Sequence, residues 1–384
     1  MKFPYGLSDF GKIIQNGFFY QDRTHLIPAL ESTGDQLLFL RPRRFGKSLL
    51  LSMLEYYYDV RQADSFESLF GQLAIYANPT PLHHRYYILH WDFSLVKPQG
   101  DVKDIERALH QHINLAIRCC ASQYDLTVPI DDTNAVQSLG ELLKAVRETP
   151  YKLYLFIDEY DNFANEVLMA RQDHYEALLY GEGLFKTLFK AVKAAAAGQG
   201  LDRVFIAGVS PVAMSDITSG YNVAENIYLK SQFNALCGFT ESEIMHLLNT
   251  LNIEAMGLSK AETLDIMRTF YDGYQFAEHC ADPAERIYNP TLSLYFLKHI
   301  QQEGYYPREM LDDNLSMDRQ RLAYIAGLLG KGNEVFIEAL AGQNQLVITR
   351  LSRRFGVRDV QRKNQESNVL PSLLYYFGVL TLAG

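Results

Sequence analysis

Apolar residues along the first two thirds of the chain follow two rhythms. Short unbroken apolar runs, the pattern of a strand buried on both faces, occur at residues 36–40, 86–91 and 203–209. A fourth lies in the segment KLYLFIDEYD at residues 152–161, where acids close the run. Between these runs, residues 49–58, 101–120, 135–147 and 183–197 carry apolar side chains at helical spacing, with Asp101 placed as an N-cap. Strands alternating with helices predict a parallel α/β sheet with right-handed crossovers, whose ligands sit beyond the C-terminal ends of the strands. From about Phe239 the rhythm is helical, at residues 241–251, 260–271, 291–301, 318–329 and 333–341. The expected division is therefore an α/β domain over 1–238 and a helical domain over 239–384. Residues 373–382 (LLYYFGVLTL) read as a helix end running into a strand without a mate. Folded proteins cover or charge such an edge, so the chain is expected to be a fragment of a longer one.

Composition narrows the class. The 384 residues are 48% hydrophobic and 21% charged, the balance of a folded chain with a large core. A net charge of −9 argues against a nucleic-acid coat over the whole surface and leaves room for a local basic site. The four cysteines show neither a C-x-x-C pair nor zinc-finger spacing, which points away from a disulfide framework or a structural metal. No apolar run reaches the ~18 residues of a membrane span and the N-terminus lacks a signal-peptide core, so the expectation is a cytoplasmic protein without a membrane partner.

The candidate chemistry lies at the ends of the predicted strands. Arg41-Pro42-Arg43-Arg44-Phe45-Gly46-Lys47-Ser48 fits G-x-x-x-x-G-K-[ST] except that Arg41 stands in the place of the first glycine. Phosphate binding needs inward-facing backbone N–H groups, the positive end of a helix, a lysine for the β and γ oxygens and a hydroxyl for magnesium. Gly46, Lys47 and Ser48 meet these needs, with Phe45 and Leu49 beside them. The second signal is the apolar run that ends in Asp158-Glu159, a Walker B arrangement. There the first acid supports Mg²⁺, and the second orients or deprotonates the attacking water. The order of the elements fits a P-loop NTPase with a catalytic glutamate and an inserted strand.

Other residues admit two readings. Ser210, after the next buried strand, is either a γ-phosphate sensor or a Ser-Pro turn. Arg43 and Arg44 can neutralise phosphate charge in cis, serve a neighbouring subunit of a homo-oligomer, or pair with surface acids. His83, His84, His110 and His112 lack a partner cluster and read as structural, and Tyr56-Tyr57-Tyr58 reads as packing.

An ordered series of blocks resembles a known group, the bacterial and archaeal AAA-ATPase-like proteins. The blocks are YGLSDF, FFYQDRTHLI, RPRRFGKSLLLSML, LFIDEYDNFANEVL, VFIAGVSPVA, ENIYL, FNALCGFTESEI, YDGYQF and IYNPTLSLYFL. Arginine at the first loop position is usual in that group. The resemblance implies ATP and Mg²⁺ as ligands, a sheet in the order 5-1-4-3-2 and an appended helical, winged-helix-like region. It implies Lys47 and Ser48 as phosphate and Mg²⁺ contacts, Asp158 as the Walker B acid, Glu159 as base and Ser210 as sensor. Phe19, Tyr20 or Asp22 would border the nucleotide base.

The group commonly carries a PD-(D/E)XK nuclease-like domain after its ATPase region. No matching acid followed by E-x-K is found before Gly384, so that domain is expected to lie outside this chain. The expected function is ATP hydrolysis driving conformational change, possible coupling to nucleic-acid processing included. The rival is a nucleotide-dependent switch that regulates a protein partner without hydrolysis. The basic stretch 350–363, with Arg350, Arg353, Arg354, Arg358, Arg362 and Lys363, is either a DNA contact or a solvated face.

Overall fold

The structure is a computed structural model that describes residues 1–180, 183–217, 221–271, 273–277, 286–310, 350–361, 368–378 and 380–382. Five parallel strands form the central sheet: β1 Gln36–Leu40, β2 Tyr86–Asp92, β3 Lys152–Asp158, β4 Leu201–Gly208 and β5 Glu225–Asn226. Their order is β2-β3-β4-β1-β5, the order the resemblance implies. Each inner strand is apolar on both faces because helices cover both sides, which is why the runs show no period-2 alternation. Register places Leu40 of β1 beside Gly208 of β4, and Asp92 of β2 beside Asp158 of β3. The loops that leave β1, β3 and β4 thus emerge together at one edge.

The helices follow from caps as well as pattern. Val102–Gln123 opens with a capping box between Asp101 and Asp104, and Ala135–Arg147 is capped by Asn134. Lys47–Tyr58 lies across β2, β3 and β4 and packs against the N-terminal helix Phe10–Gln15. Tyr57 and Tyr58 are buried in that packing, with their hydroxyls bonded to Thr80 and Glu31.

Two apolar clusters organise the described residues. The larger fills the space around the sheet and also gathers Phe276, Ile287, Leu351, Phe355, Val369, Leu373 and Tyr376. The smaller joins Phe3 to Phe239, Ile244, Leu248, Met267, Phe296 and Ile300. Its helices are Glu241–Leu251, with a Thr240–Glu243 capping box, Lys260–Tyr271 and Pro290–Glu303, capped by Asn289. A short antiparallel pair, β6 Phe239–Thr240 and β7 Ile287–Tyr288, sits beside them. Arg23 holds the two cores together, donating to both carboxylate oxygens of Glu243 and to the Gly238 carbonyl.

One expectation changes at the end of the chain. The helix Val369–Tyr376 is present, but residues 380–382 form no strand. Gly378, at φ 76°, turns the backbone, Leu380 and Leu382 settle against the larger core, and Thr381 Oγ1 accepts the Gln275 N–H at 2.7 Å. The unpaired edge read from the sequence is therefore not formed. The helices expected over 318–329 and 333–341, and Arg362 and Lys363 of the basic stretch, lie outside the described residues.

Gly208 closes β4 where a Cβ would fall 2.4 Å from the Tyr160 ring and 2.7 Å from Asp161 Oδ1, both buried. Gly208→Ala is expected to lower unfolding free energy by on the order of 2 kcal/mol, read from urea midpoints. A midpoint equal to the parent's would show that this junction yields to a methyl group despite these distances.

Candidate nucleotide site

The loop from Arg41 to Gly46 runs directly into the helix Lys47–Tyr58. Gly46 takes φ 87°, which a side chain would oppose, and its carbonyl starts the helix by accepting Leu50 N–H at 3.0 Å. No side chain caps this terminus, so the orphan N–H groups of the first turn and the positive helix end face the loop. Lys47 is only 4% exposed and folds beneath the loop, its Nζ 3.2 Å from the carbonyl oxygens of both Arg41 and Pro42 and 4.0 Å from Glu159 Oε1. The cradle and its cation are thus preformed.

Ser48 Oγ donates to Asp158 Oδ2 at 2.6 Å, joining the start of this helix to the end of β3. Asp158 Oδ1 accepts the Glu159 N–H at 2.9 Å. Burial raises the Asp158 carboxyl above the usual carboxylate range, against the opposing pull of the Ser48 hydrogen bond and the Lys47 charge. Hydroxyl and carboxylate side by side supply the oxygen donors that a magnesium ion takes together with phosphate oxygens and water, so the residues fit that ion. Glu159 is left-handed, at φ 53° and ψ 34°, and its carboxylate is partly exposed on the Lys47 side. A non-glycine residue in that region stores strain, and such strain concentrates at functional sites.

The remaining predicted residues fall in different places. Arg43 is exposed on the loop and donates to Asn162 Oδ1 at 2.6 Å; Asn162 in turn donates to Glu166 Oε1 at 3.0 Å. The exposed Arg44 has φ 64°, and its carbonyl accepts Thr291 Oγ1 at 2.7 Å. The Phe45 ring turns into the core, edge-on to Tyr274 and Phe276 with centroids 4.9 and 5.2 Å away. Leu49 is half-buried on the first turn of the helix. Tyr20 is half-buried and edge-on to Phe10 at 5.2 Å, its phenol pushed upward mainly by burial. The Ser210 side chain is fully buried and its hydroxyl donates to Asp161. A separate pocket of about 300 Å³ lies along the same helix, lined by Ser52, Glu55, Asp59 and His90, and none of the predicted site residues borders it.

Arg41 explains the missing glycine. Its guanidinium is buried and donates to the carbonyls of Leu40, Tyr228, Phe233 and Asn234. It also lies 3.9 Å from the Phe276 ring centroid and 4.6 Å from that of Phe39. Burial lowers its pKa to about 10, which leaves it charged at neutral pH. The side chain points away from the loop interior, so the position where phosphate binding asks for a small residue is filled without obstructing it. Asp161 and Asn162 look in the sequence like ordinary residues of a helix start, and their spacing of three and four from Asp158 is the only signal.

The family profile described as "Predicted AAA-ATPase" matches residues 4–218, more than half of the chain. The chain belongs to this AAA-ATPase-like family. A curated relative, an uncharacterised protein encoded in the vnfD 5′ region of Azotobacter chroococcum mcd 1, is 26% identical over 313 residues. The match covers 77% of this AAA-ATPase-like chain and 52% of the relative, so the chain spans about half the relative's length. Among solved structures, Cdc6p from Pyrobaculum aerophilum aligns over 76% of this chain and 66% of its own, with 12% identity and a TM-score of 0.36. The Aeropyrum pernix Orc1 protein, solved in complex with DNA, aligns over 85% and 68%, with 12% identity and a TM-score of 0.31. No helix among the described residues is long and apolar enough to cross a membrane.

Two predictions follow from the buried charges. Arg41→Gly, which installs the first residue of the general G-x-x-x-x-G-K-[ST] pattern, is expected to destabilise the protein by roughly 3 kcal/mol or more, because several buried carbonyls lose their donor. Chemical denaturation checks this, and a neutral outcome would remove the anchoring role. The folded-state pKa of Asp158 lies above its unfolded value, so its ionisation removes stability progressively as pH rises from the unfolded pKa, and in full above the folded one. Asp158→Asn is therefore expected to melt above the parent at pH 7 without nucleotide, with the gap narrowing as pH is lowered toward about 4. A variant no more stable than the parent at pH 7 contradicts it.

Proposed function

We propose that the chain binds ATP with Mg²⁺ at the Lys47 loop and hydrolyses it, using the turnover to rearrange the helical region. The observation that carries this reading is the meeting of Ser48, Asp158, Lys47 and Glu159 at one sheet edge, with Ser48 and Asp158 2.6 Å apart and Lys47 and Glu159 4.0 Å apart. The loop N–H groups and the open helix end bind the phosphates, and Lys47 leaves the carbonyls of Arg41 and Pro42 for the β and γ oxygens. Ser48 and Asp158 would hold the magnesium ion, which would supply positive charge against that developing on the transferred phosphoryl group. Glu159 orients the attacking water and takes its proton. Arg43, held at Asn162, stands on the exposed side of the loop as the cis cation for the γ-phosphate. Tyr20 and its neighbours in the N-terminal block border the base.

A route from the loop to the helical region supports the mechanical half of the proposal. Phe45 meets Tyr274 and Phe276, the Arg44 carbonyl holds Thr291, and Pro42 lies against Gly378. A phosphate that moves the loop moves these contacts with it.

The test is Mg²⁺-dependent phosphate release from ATP by the purified chain, with and without duplex DNA. Lys47→Ala is expected to lose nucleotide binding by at least tenfold, measured with a fluorescent ATP analogue. Glu159→Gln is expected to keep that affinity within about threefold while turnover falls by 10²-fold or more. Equal turnover in Glu159→Gln removes the base assignment, and tight ATP binding without any turnover in the parent favours the switch.

A further inference from the structure

The carboxylate of Asp161 is only 1% exposed and is engaged at the end of β4. Its Oδ1 accepts the Val209 N–H at 3.0 Å, and its Oδ2 accepts the N–H and hydroxyl of Ser210 at 2.9 and 3.3 Å. The neighbouring Tyr160, fully buried, donates its hydroxyl to the Ser210 carbonyl at 2.5 Å. Every polar group of Ser210 is thus engaged by the two residues that directly follow Glu159. The fit is tight, since Gly208 leaves no room for a Cβ against the same two side chains.

Glu159 is pinned on its other side as well. Its N–H is held by Asp158, which Ser48 holds, and its carbonyl accepts the Asn162 N–H at 2.9 Å. A left-handed glutamate persists only where its surroundings over-determine it, and a carboxylate gripping the end of β4 is a rigid means of doing so. From this geometry we infer that Asp161, assisted by Tyr160, is the positioning residue that holds Glu159 toward the attacking water, and that the Ser210 hydroxyl serves this clamp instead of contacting the γ-phosphate. The inference rests on the hydrolytic reading above and deepens it.

The test compares Asp161→Asn, Tyr160→Phe, Ser210→Ala and Glu159→Gln with the parent, and adds the Asp161→Asn/Glu159→Gln pair. Steady-state and single-turnover ATP hydrolysis, affinity for a fluorescent ATP analogue and thermal melting are read for each full-length variant. Asp161→Asn keeps the size but turns an amide donor toward N–H groups, so kcat is expected to fall at least tenfold while KM and nucleotide affinity stay within about threefold. Because the residue acts through Glu159, the same change in the Glu159→Gln background is expected to cost less than a further twofold. If Asp161→Asn does not fold, Tyr160→Phe in both backgrounds carries the same comparison. Additive losses, or an unchanged kcat with only a lower melting temperature, overturn the inference and leave the ATPase reading standing. A loss of nucleotide affinity beyond about threefold in Ser210→Ala also overturns it, because that would put the hydroxyl on the phosphate instead of in the clamp. A parent without turnover overturns both.

Discussion

The site depends on one hydrogen bond that crosses a strand. β4 lies between β1 and β3, so the helix that begins after β1 must reach over the end of β4 to touch the acid that ends β3. Ser48 does this with a 2.6 Å contact to Asp158. Everything else at the edge is arranged around that span: Lys47 lies beneath the loop, Glu159 leaves Asp158 in a left-handed turn, and the end of β4 is taken up by Tyr160 and Asp161. The parallel sheet supplies the coincidence of three strand ends, and the short polar contacts convert it into a site of fixed geometry.

Burial of charge is the cost of this arrangement, and the structure offsets it in two ways. Arg41 has backbone carbonyls and an aromatic face around it, which suit a delocalised guanidinium better than they would a compact ammonium. Asp158 and Asp161 are held by N–H and O–H donors, yet burial still raises both carboxyls. Buried carboxyls of this kind make the strand ends less stable than their packing alone would, and a cation bound beside Asp158 would offset that cost.

The sheet was legible because buried parallel strands leave unbroken apolar runs, and 36–40, 152–158 and 203–208 need no tertiary information to be found. The loop and the acid pair were legible because their chemistry fixes residue types at fixed spacing. Other features depended on contacts far apart in sequence. Arg41 reads as a lost glycine until residues 228–234 and 276 close around it. Phe45 and Ser210 each had a plausible place near phosphate, and only the packing shows one ring turned toward Tyr274 and one hydroxyl turned toward Asp161. The strand read at the end of the chain fails for a related reason: apolar residues 380 and 382 look like a strand face, but a glycine turn and a threonine bond place them against a core made elsewhere.

The Phe45 contact also determines what kind of signal the loop can send. Rings packed edge-on at about 5 Å transmit a displacement by steric contact, and that route has no Debye length. Ionic strength weakens the surface attraction that first brings a nucleotide to the loop, but it leaves the mechanical path behind Phe45 untouched. On the reading proposed above, the approach of a nucleotide is a salt-sensitive event, and the transmission of its arrival is not.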